Sequence, residues 1–455
     1  MKLLCTGDLH LGRRSSRLPS HLDGRTHSCA GCWDRVVALA LEESVDVVAL
    51  SGDLVDRDNR FYEAVGPLES GLRRLADAGI EIVAVAGNHD HDVLPRLVDA
   101  LGPEAFRLLG RGGVWERATV RRGGRVLHID GWSFPEPYVA DSPVAAYALP
   151  VPDDGPVLGL LHADLDRPGS PYAPVSMVEL RARPVDFWLL GHVHSPALHE
   201  GRGLTPVLYP GSPQAMDPGE TGAHGVWIVE LASGPTFGAR FVPLSTVRYD
   251  EVVVDVTGAE GTDEVDARVV DAVRSHLASV EGSDSGVLRC VSCRLRVVGA
   301  TPVHRRLAAH LESFVRDLEL SVGGVTAQVE RVHVETRPTR DLAGLARGRD
   351  PVAVVARLLG ALEADALGPE EAALLRDAER AAAEVRRARA YAGLRVGPAG
   401  ASNGARFRGG RGAGPGMPST AERSGDPAAA DAVRDALERQ ATLLLDALLA
   451  QKEDA

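Results

Sequence analysis

Lysine is nearly absent from this 455-residue sequence: Lys2 and Lys452 are the two in a basic total of 50, and arginine supplies the rest. A GC-rich genome produces such a bias as readily as function does, so no function is read from it. No apolar run approaches the ~20 residues that a membrane-spanning helix needs. The N-terminus reaches Asp8 too soon for a signal peptide, so a cytoplasmic protein with no membrane partner is expected. Cysteine is scarce, five in all, and an odd number without a secretion signal points to reduced thiols instead of a disulfide framework. The formal net charge of -13 excludes a generally basic protein. It leaves nucleic-acid binding open, because that depends on local patches and because metal-binding carboxylates add to the acidic count. Hydrophobic residues at 44% and charged ones at 25% exclude a wholly disordered chain, and the length favours two or three domains.

The first ~190 residues repeat a short apolar run, a polar loop and then a helical pattern, the signature of an α/β protein. The runs are residues 2–6, 46–50, 80–86, 157–161 and 186–190. Residues 114–132 read as a hairpin around Gly123-Gly124, and a strand at 226–231 closes a domain spanning 1–245. A small β-α-β-α-β domain is expected over 250–340 and a helical segment over 350–395. Residues 397–426 are rich in Gly and Pro and read as a flexible linker. A last helix over 428–451 carries a stripe of Val433, Leu437, Leu444 and Leu448, apolar enough to need a partner surface.

The chemistry lies in the loops. Asp8 and His10 follow the first run, Asp53 the second, Asn88 and His89 the third, His162 the fourth, and His192 with His194 the fifth. Loops beyond the carboxyl ends of strands line one crevice, so these side chains converge. Asp8, His10, Asp53, Asn88, His162, His192 and His194 offer more donors than one catalytic ion with open positions takes. Two divalent ions sharing a carboxylate fit better and could clamp a phosphoryl group for in-line displacement. Imidazole, carboxylate and amide together suit Mn²⁺, Fe²⁺ or Zn²⁺.

Gly7-Asp-Leu-His10, Gly52-Asp-Leu-Val-Asp56, Gly87-Asn-His-Asp90, His162 and Gly191-His-Val-His194 resemble, in order and spacing, the five signature blocks of the calcineurin-like metallophosphoesterases. The resemblance implies a β-sandwich flanked by helices, an α/β (α+β) fold, with a small α/β cap domain and C-terminal helices. It implies that Asp8, His10, Asp53 and His194 hold one metal, and that Asp53, Asn88, His162 and His192 hold the other. It makes His89 the catalytic residue that stabilises charge or protonates the leaving oxygen, with Asp56 and Asp90 orienting their neighbours. Tyr209-Pro-Gly-Ser-Pro213 resembles the SbcD-like DNA repair nucleases, and Glu220-Thr-Gly-Ala-His-Gly225 resembles their YhaO branch. That resemblance implies Mn²⁺, a DNA substrate, a DNA-facing cap, a coiled-coil ATPase partner of the SbcC or YhaN kind and a homodimer. The competing readings are a phosphatase or phosphodiesterase acting on nucleotides or other small esters, and a DNA-binding subunit without catalysis.

Arg13, Arg14 and Arg17 follow the first ligand loop and are candidate phosphate contacts. Arg111, Arg117, Arg121, Arg122 and Arg125 cluster about the hairpin with only Glu116 opposing, and read equally as a DNA contact or a solvated face. Cys29-Ala-Gly-Cys32 and Cys290-Val-Ser-Cys293 have the spacing of a four-thiolate zinc site. Packing thiols are the favoured alternative, since the second pair falls in a strand where residues three apart face opposite ways.

Overall fold

The computed structural model describes every residue except 17, 19–23, 25, 59–61, 103, 232–236, 283–285, 365, 388–426 and 454–455. The chain divides into two units, Met1–Pro338 and Thr339–Ala455.

In the first unit, Lys2–Thr6, Val47–Leu50, Glu81–Ala84 and Arg107–Leu108 run parallel in sequence order. Gly225–Leu231 and Phe237–Pro243 extend this sheet antiparallel beyond Lys2–Thr6. The parallel strands are short and apolar on both faces because both faces are covered. One face meets the helices Cys29–Glu42 and Tyr62–Asp77 through Leu4, Val48 and Ile82. The other, with Leu3, Cys5, Val47 and Val83, packs on a second sheet through Ile129, Leu158, Leu160 and Leu189.

That second sheet starts with the hairpin Glu116–Arg122 and Arg125–Trp132. Gly123 and Gly124 have φ of 56° and 75°, so two glycines supply the left-handed turn that matches strand twist. Val157–His162, Phe187–Gly191 and Val207–Tyr209 follow in parallel, and Ala197–His199 closes the edge antiparallel. The result is a two-sheet sandwich with helices outside, an α/β architecture.

The expected basic face of the hairpin is largely neutralised. Arg111 pairs with Asp99 at 2.8 Å, Arg117 with Asp130 at 2.6 Å, and Arg121 with Asp154 at 2.9 Å. Asp99 and Asp154 come from outside the hairpin, and Asp130 from its own second strand, directly across from Arg117. Asp130 is fully buried and also accepts from Tyr147, so the Arg117 pair belongs to the interior.

A third sheet, ordered Val247–Asp255, Cys290–Ala300, Val325–Arg337 and Leu320–Val322, carries the helices Thr262–Glu281 and His304–Phe314. Val252, Val254, Leu295 and Val297 pack beneath Val265, Val269, Val273, Leu307 and Leu311.

In the second unit, the helix Pro351–Glu363 starts after Asp350, whose carboxylate accepts the Ala353 N–H at 3.0 Å. Pro369–Arg387 follows, and Pro427–Glu453 ends the described chain. The expected linker at 397–426 and the end of the 350–395 segment lie outside the described residues. The last helix buries Val433, Ala441 and Leu445, the latter two against Val352, Val355 and Leu359. Leu444, assigned to the stripe from sequence, is 51% exposed, because spacings of four from Val433 put 441 and 445 inward. Among the described residues no helix is long and apolar enough to cross a membrane.

Trp33 is fully buried and donates its indole N–H to the Pro67 carbonyl at 3.1 Å, where the helices Cys29–Glu42 and Tyr62–Asp77 meet. A methyl group at Gly71 would collide with that rigid ring. Gly71→Ala should therefore cost about 1–3 kcal/mol despite its better helix propensity, read as a lower thermal midpoint with altered Trp33 fluorescence.

Candidate metal centre

Every donor named from the sequence sits where a strand ends. Asp8, His10, Asp53 and Asn88 follow strands of the first sheet; His162 ends a strand of the second, and His192 and His194 follow its neighbour. The loops are stitched together by backbone bonds. Asp8 N–H donates to Gly52 O at 2.9 Å, His10 N–H to Asp53 O at 3.0 Å, and Ala163 N–H to Gly191 O at 3.2 Å. Asp8, His10, Asp53 and His192 all have positive φ, at 49°, 44°, 51° and 95°. Non-glycine residues rarely adopt that region, so its concentration here marks strain held in place by the surrounding bonds.

Three groups of side chains converge within cation-binding reach: Asp8 with His10 and His194, His10 with Asp53 and His89, and Asp53 with His162 and His192. Asp53 is central. Its Oδ2 lies 3.3 Å from His162 Nε2, 3.9 Å from His10 Nε2 and 4.0 Å from His89 Nε2. Its Oδ1 accepts the His89 backbone N–H at 2.8 Å, and both Asp8 oxygens accept that of His192 at 3.1 Å. Asn88 Oδ1 lies 3.1 Å from His162 Nε2.

The rear nitrogens of these rings show what the front ones can do. His162 Nδ1 is 2.9 Å from the Ser51 carbonyl, so it carries a proton, and Nε2 faces two acceptors, Asn88 Oδ1 and Asp53 Oδ2, that call for a proton or a metal ion there. His194 Nδ1 lies 2.7 Å from Glu220, and His10 Nδ1 3.4 Å from Asp56. With both Nδ1 positions facing carboxylates, His10 Nε2 and His194 Nε2 point at each other across 3.1 Å. Two lone pairs at that separation repel unless a proton or a metal ion lies between them. Donors about 2.1 Å from one ion at 90–110° stand about 3.0–3.4 Å apart, which is the spacing found here. The residues therefore fit a divalent metal centre.

Protonation follows the same field. Burial disfavours a charged His162, but the Asp53 carboxylate outweighs it and lifts the pKa to about 9. Burial likewise works against a charged His194, and Glu220 with Asp8 reverses the effect. Burial also pushes Asp53 up, yet the histidines around it hold the carboxyl well below the usual range. The pocket demands positive charge.

Asp56 lies 3.4 Å from both His10 Nδ1 and His89 Nδ1. Asp90 is fully buried and accepts backbone N–H groups of Leu54 at 2.6 Å and Gly87 at 2.8 Å, tying two ligand loops together. Arg13 is held by Asp217 at 2.7 Å, and Arg14 is exposed; Arg17 lies outside the described residues. Cys29 and Cys32 sit in the core of the first sheet and Cys293 in that of the third, and all five thiols are buried and free. Burial pushes Cys32 up to about 11 and Cys293 up to about 12, so these are packing thiols. Two carboxylates escaped the sequence reading: Glu220, against His194, and Asp164, 3.6 Å from His192 Nε2. The available signals were the position of Asp164 two residues after His162, and the Glu220 segment itself, which was noted without a role.

A two-sheet sandwich with aspartate, histidine and asparagine donors gathered at the strand ends fits a metallophosphoesterase class of site, and comparisons with known proteins point the same way. Residues 1–196 match the calcineurin-like phosphoesterase family, and residues 249–337 match the middle domain of metallophosphoesterase YhaO. An uncharacterized metallophosphoesterase YhaO of Bacillus subtilis is 30% identical over 262 residues, 56% of this chain and 62% of that protein. A DNA double-strand break repair protein Mre11 of Methanopyrus kandleri is 28% identical over 308 residues, 63% of this chain and 65% of that one. Its counterpart in Haloferax volcanii is 31% identical over 299 residues, 59% and 58% of the two chains. The chain spans less than two thirds of the length of these relatives. The chain thus carries a calcineurin-like phosphoesterase domain over residues 1–196 and a YhaO-type middle domain over residues 249–337.

Two outcomes are expected of the chelator-stripped protein. A metal ion must displace the proton that His162 keeps below about pH 9, so apparent Mn²⁺ affinity should rise with pH. The slope is roughly tenfold per pH unit for each displaced proton, and titration calorimetry in buffers of different ionisation enthalpy should count those protons. Glu220→Ala frees the His194 ring to turn, which should weaken Mn²⁺ binding about 10–100-fold, with Glu220→Gln in between.

Proposed function

We propose that this protein is a metal-dependent DNA repair nuclease, an exonuclease that hydrolyses DNA phosphodiester bonds at a two-metal centre. The observation that carries the proposal is the convergence of seven donors around Asp53 with one side left open: the side chains of His89, His192 and His194 are 28%, 19% and 25% exposed. That opening admits a phosphodiester to the donor cluster. The Mre11 relatives, named for DNA double-strand break repair, favour DNA over a small ester.

Asp8, His10, Asp53 and His194 would hold one ion, and Asp53, Asn88, His162 and His192 the other, with Mn²⁺ as the proposed metal. Bound there, a divalent pair supplies activation of water and neutralisation of charge on the phosphoryl oxygens. The chain's own groups do the rest. Asp56 and Glu220 fix the rings of His10 and His194, and Asp90 fixes the backbone that presents Asp53 and Asn88. Burial opposes a charged His89, but Asp56 and Asp53 outweigh it, so this ring can carry a proton to the departing sugar oxygen. Arg14 contacts phosphates beyond the scissile one, and the domain at 249–337 faces DNA. Leu443 and Leu444, 61% and 51% exposed on the last helix, give a coiled-coil ATPase of the SbcC or YhaN kind an apolar surface to bind. A homodimer is part of the same proposal.

The test incubates chelator-stripped protein with linear duplex and single-stranded DNA, with and without Mn²⁺, beside Asn88→Ala and His89→Ala. A nucleotide monoester and a small phosphodiester run in parallel. Mn²⁺-dependent DNA cleavage that both substitutions reduce by at least about 100-fold is expected. Intact DNA together with rapid small-ester hydrolysis would move the assignment to a metabolite phosphoesterase. Two bound ions with no turnover of any substrate, even with the ATPase present, would leave a binding subunit.

A further inference from the structure

Beside the donor cluster, two loops are clamped edge to edge. One follows the strand Arg125–Trp132 and the other follows Val157–His162. Val139 N–H donates to Pro171 O at 2.8 Å, and Ala173 N–H donates back to Val139 O at 2.7 Å. This short parallel bridge sets Tyr138 beside Tyr172, with ring centroids 5.8 Å apart and planes tilted by 42°. Tyr172 in turn lies 4.9 Å from the His192 ring at 37°. At the outer end the Arg57 guanidinium carbon stands 5.6 Å from the Tyr138 centroid, and the Arg57 backbone nitrogen lies 3.2 Å from His89 Nδ1. A row of π surfaces therefore runs from His192 through Tyr172 and Tyr138 to Arg57, whose backbone returns to the donor cluster at His89.

Packing does not account for the outer half of this row. Tyr138 is 52% exposed and, among the described residues, is the only aromatic ring among the large hydrophobic side chains left so open. The supporting loop is rigid. Ser170 donates to Asp164 at 2.5 Å, Leu165 N–H donates to the Tyr209 hydroxyl at 3.0 Å, and Asp166 and Ala173 hold positive φ of 53° and 47°. Non-glycine residues stay in that region only where neighbouring contacts over-determine them. Tyr138 is thus tied, through the Val139 bridge, to a strained and well-bonded neighbouring loop. An aliphatic partner would want a concave apolar floor, whereas two phenols and a guanidinium offer flat faces with polar rims. That chemistry suits a flat, polar-edged π system.

We infer that Tyr138, with Tyr172 and Arg57, forms a stacking ledge for an unpaired nucleobase of the strand whose phosphodiester enters the donor cluster. The inference rests on the nuclease reading and narrows its substrate to single-stranded DNA or frayed strand ends, because a base inside a duplex keeps both faces in its own stack and a paired terminal base frees one at most. Base–aromatic stacking of this kind is indifferent to sequence.

Metal-stripped protein in chelator separates binding from cleavage. The probes are an oligonucleotide with 2-aminopurine at an unpaired 3′ end and a blunt duplex of the same sequence. Wild type should quench the unpaired 2-aminopurine on binding. Tyr138→Ala should lose about tenfold in affinity for the unpaired DNA, and less for the blunt duplex, while Tyr138→Trp keeps both quench and preference. Equal losses on the two DNAs, or binding and Mn²⁺-dependent cleavage by wild type without any quench, would overturn the ledge and leave the nuclease reading standing. A wild-type protein that binds neither DNA overturns both.

Discussion

Lone pairs crowded around the Asp53 carboxylate set the terms for everything nearby. His10 and His194 present Nε2 atoms 3.1 Å apart, and His162 turns its Nε2 toward two oxygens, with each ring held from behind. Such an arrangement is repulsive unless positive charge occupies it, and the raised pKa values of His162 and His194 express the same demand in protons. The folded state holds this repulsion by distributing it. Positive-φ backbone at Asp8, His10, Asp53 and His192 aims the donors inward, and inter-loop backbone bonds keep that backbone from relaxing. Donor convergence and local backbone strain are therefore one feature.

The sandwich is what allows donors from five loops to meet. Each sheet's central strands run parallel, so their carboxyl ends lie on one side, and stacking the two sheets through Leu3, Val47, Leu158 and Leu189 brings those sides together. A single sheet would string the same loops along one edge. The strands can be as short as Val47–Leu50 because both faces are buried, and the hydrophobic burial of each run fixes where its loop begins. Position of the chemistry is thus set by the apolar pattern, and its identity by the residues just past it.

Much of this was legible in the sequence for that reason. An apolar run followed within a few residues by Asp, His or Asn is a local signal, and the ordered blocks placed all seven donors with His89, Asp56 and Asp90 at one site. Periodicity alone reads as one α/β sheet; the division into two came from the family resemblance, since which strands pair is a non-local choice. What stayed hidden was equally non-local. Asp99 and Asp154 reach the hairpin arginines from other elements, Glu220 reaches His194 across 26 residues, and Tyr138 meets Tyr172 only through a loop-to-loop bridge. The last helix failed differently. Its final turns are apolar nearly all round, so composition could not choose the buried stripe, and packing on Val355 and Leu359 chose Ala441 and Leu445 over Leu444.

Glu220 also explains why the segment between the metal loops and the third sheet is built as it is. Its Oε1 holds His194, while its Oε2 accepts the Met216 N–H at 2.8 Å. Met216 O accepts the backbone N–H of Ser16 at 2.7 Å, and the Tyr249 hydroxyl donates to Ser16 O at 2.5 Å and lies 3.3 Å from Met216 O. Tyr249 is fully buried in the first strand of the third sheet, and Thr221 bridges to it directly. A ligand ring is therefore joined to the third sheet through Glu220, Met216 and Tyr249 without passing through solvent. Moving that sheet relative to the sandwich must break one of these bonds and leave a buried polar group unpaired, at about 1–3 kcal/mol each. The orientation of the small domain and the geometry of His194 therefore share one chain of hydrogen bonds.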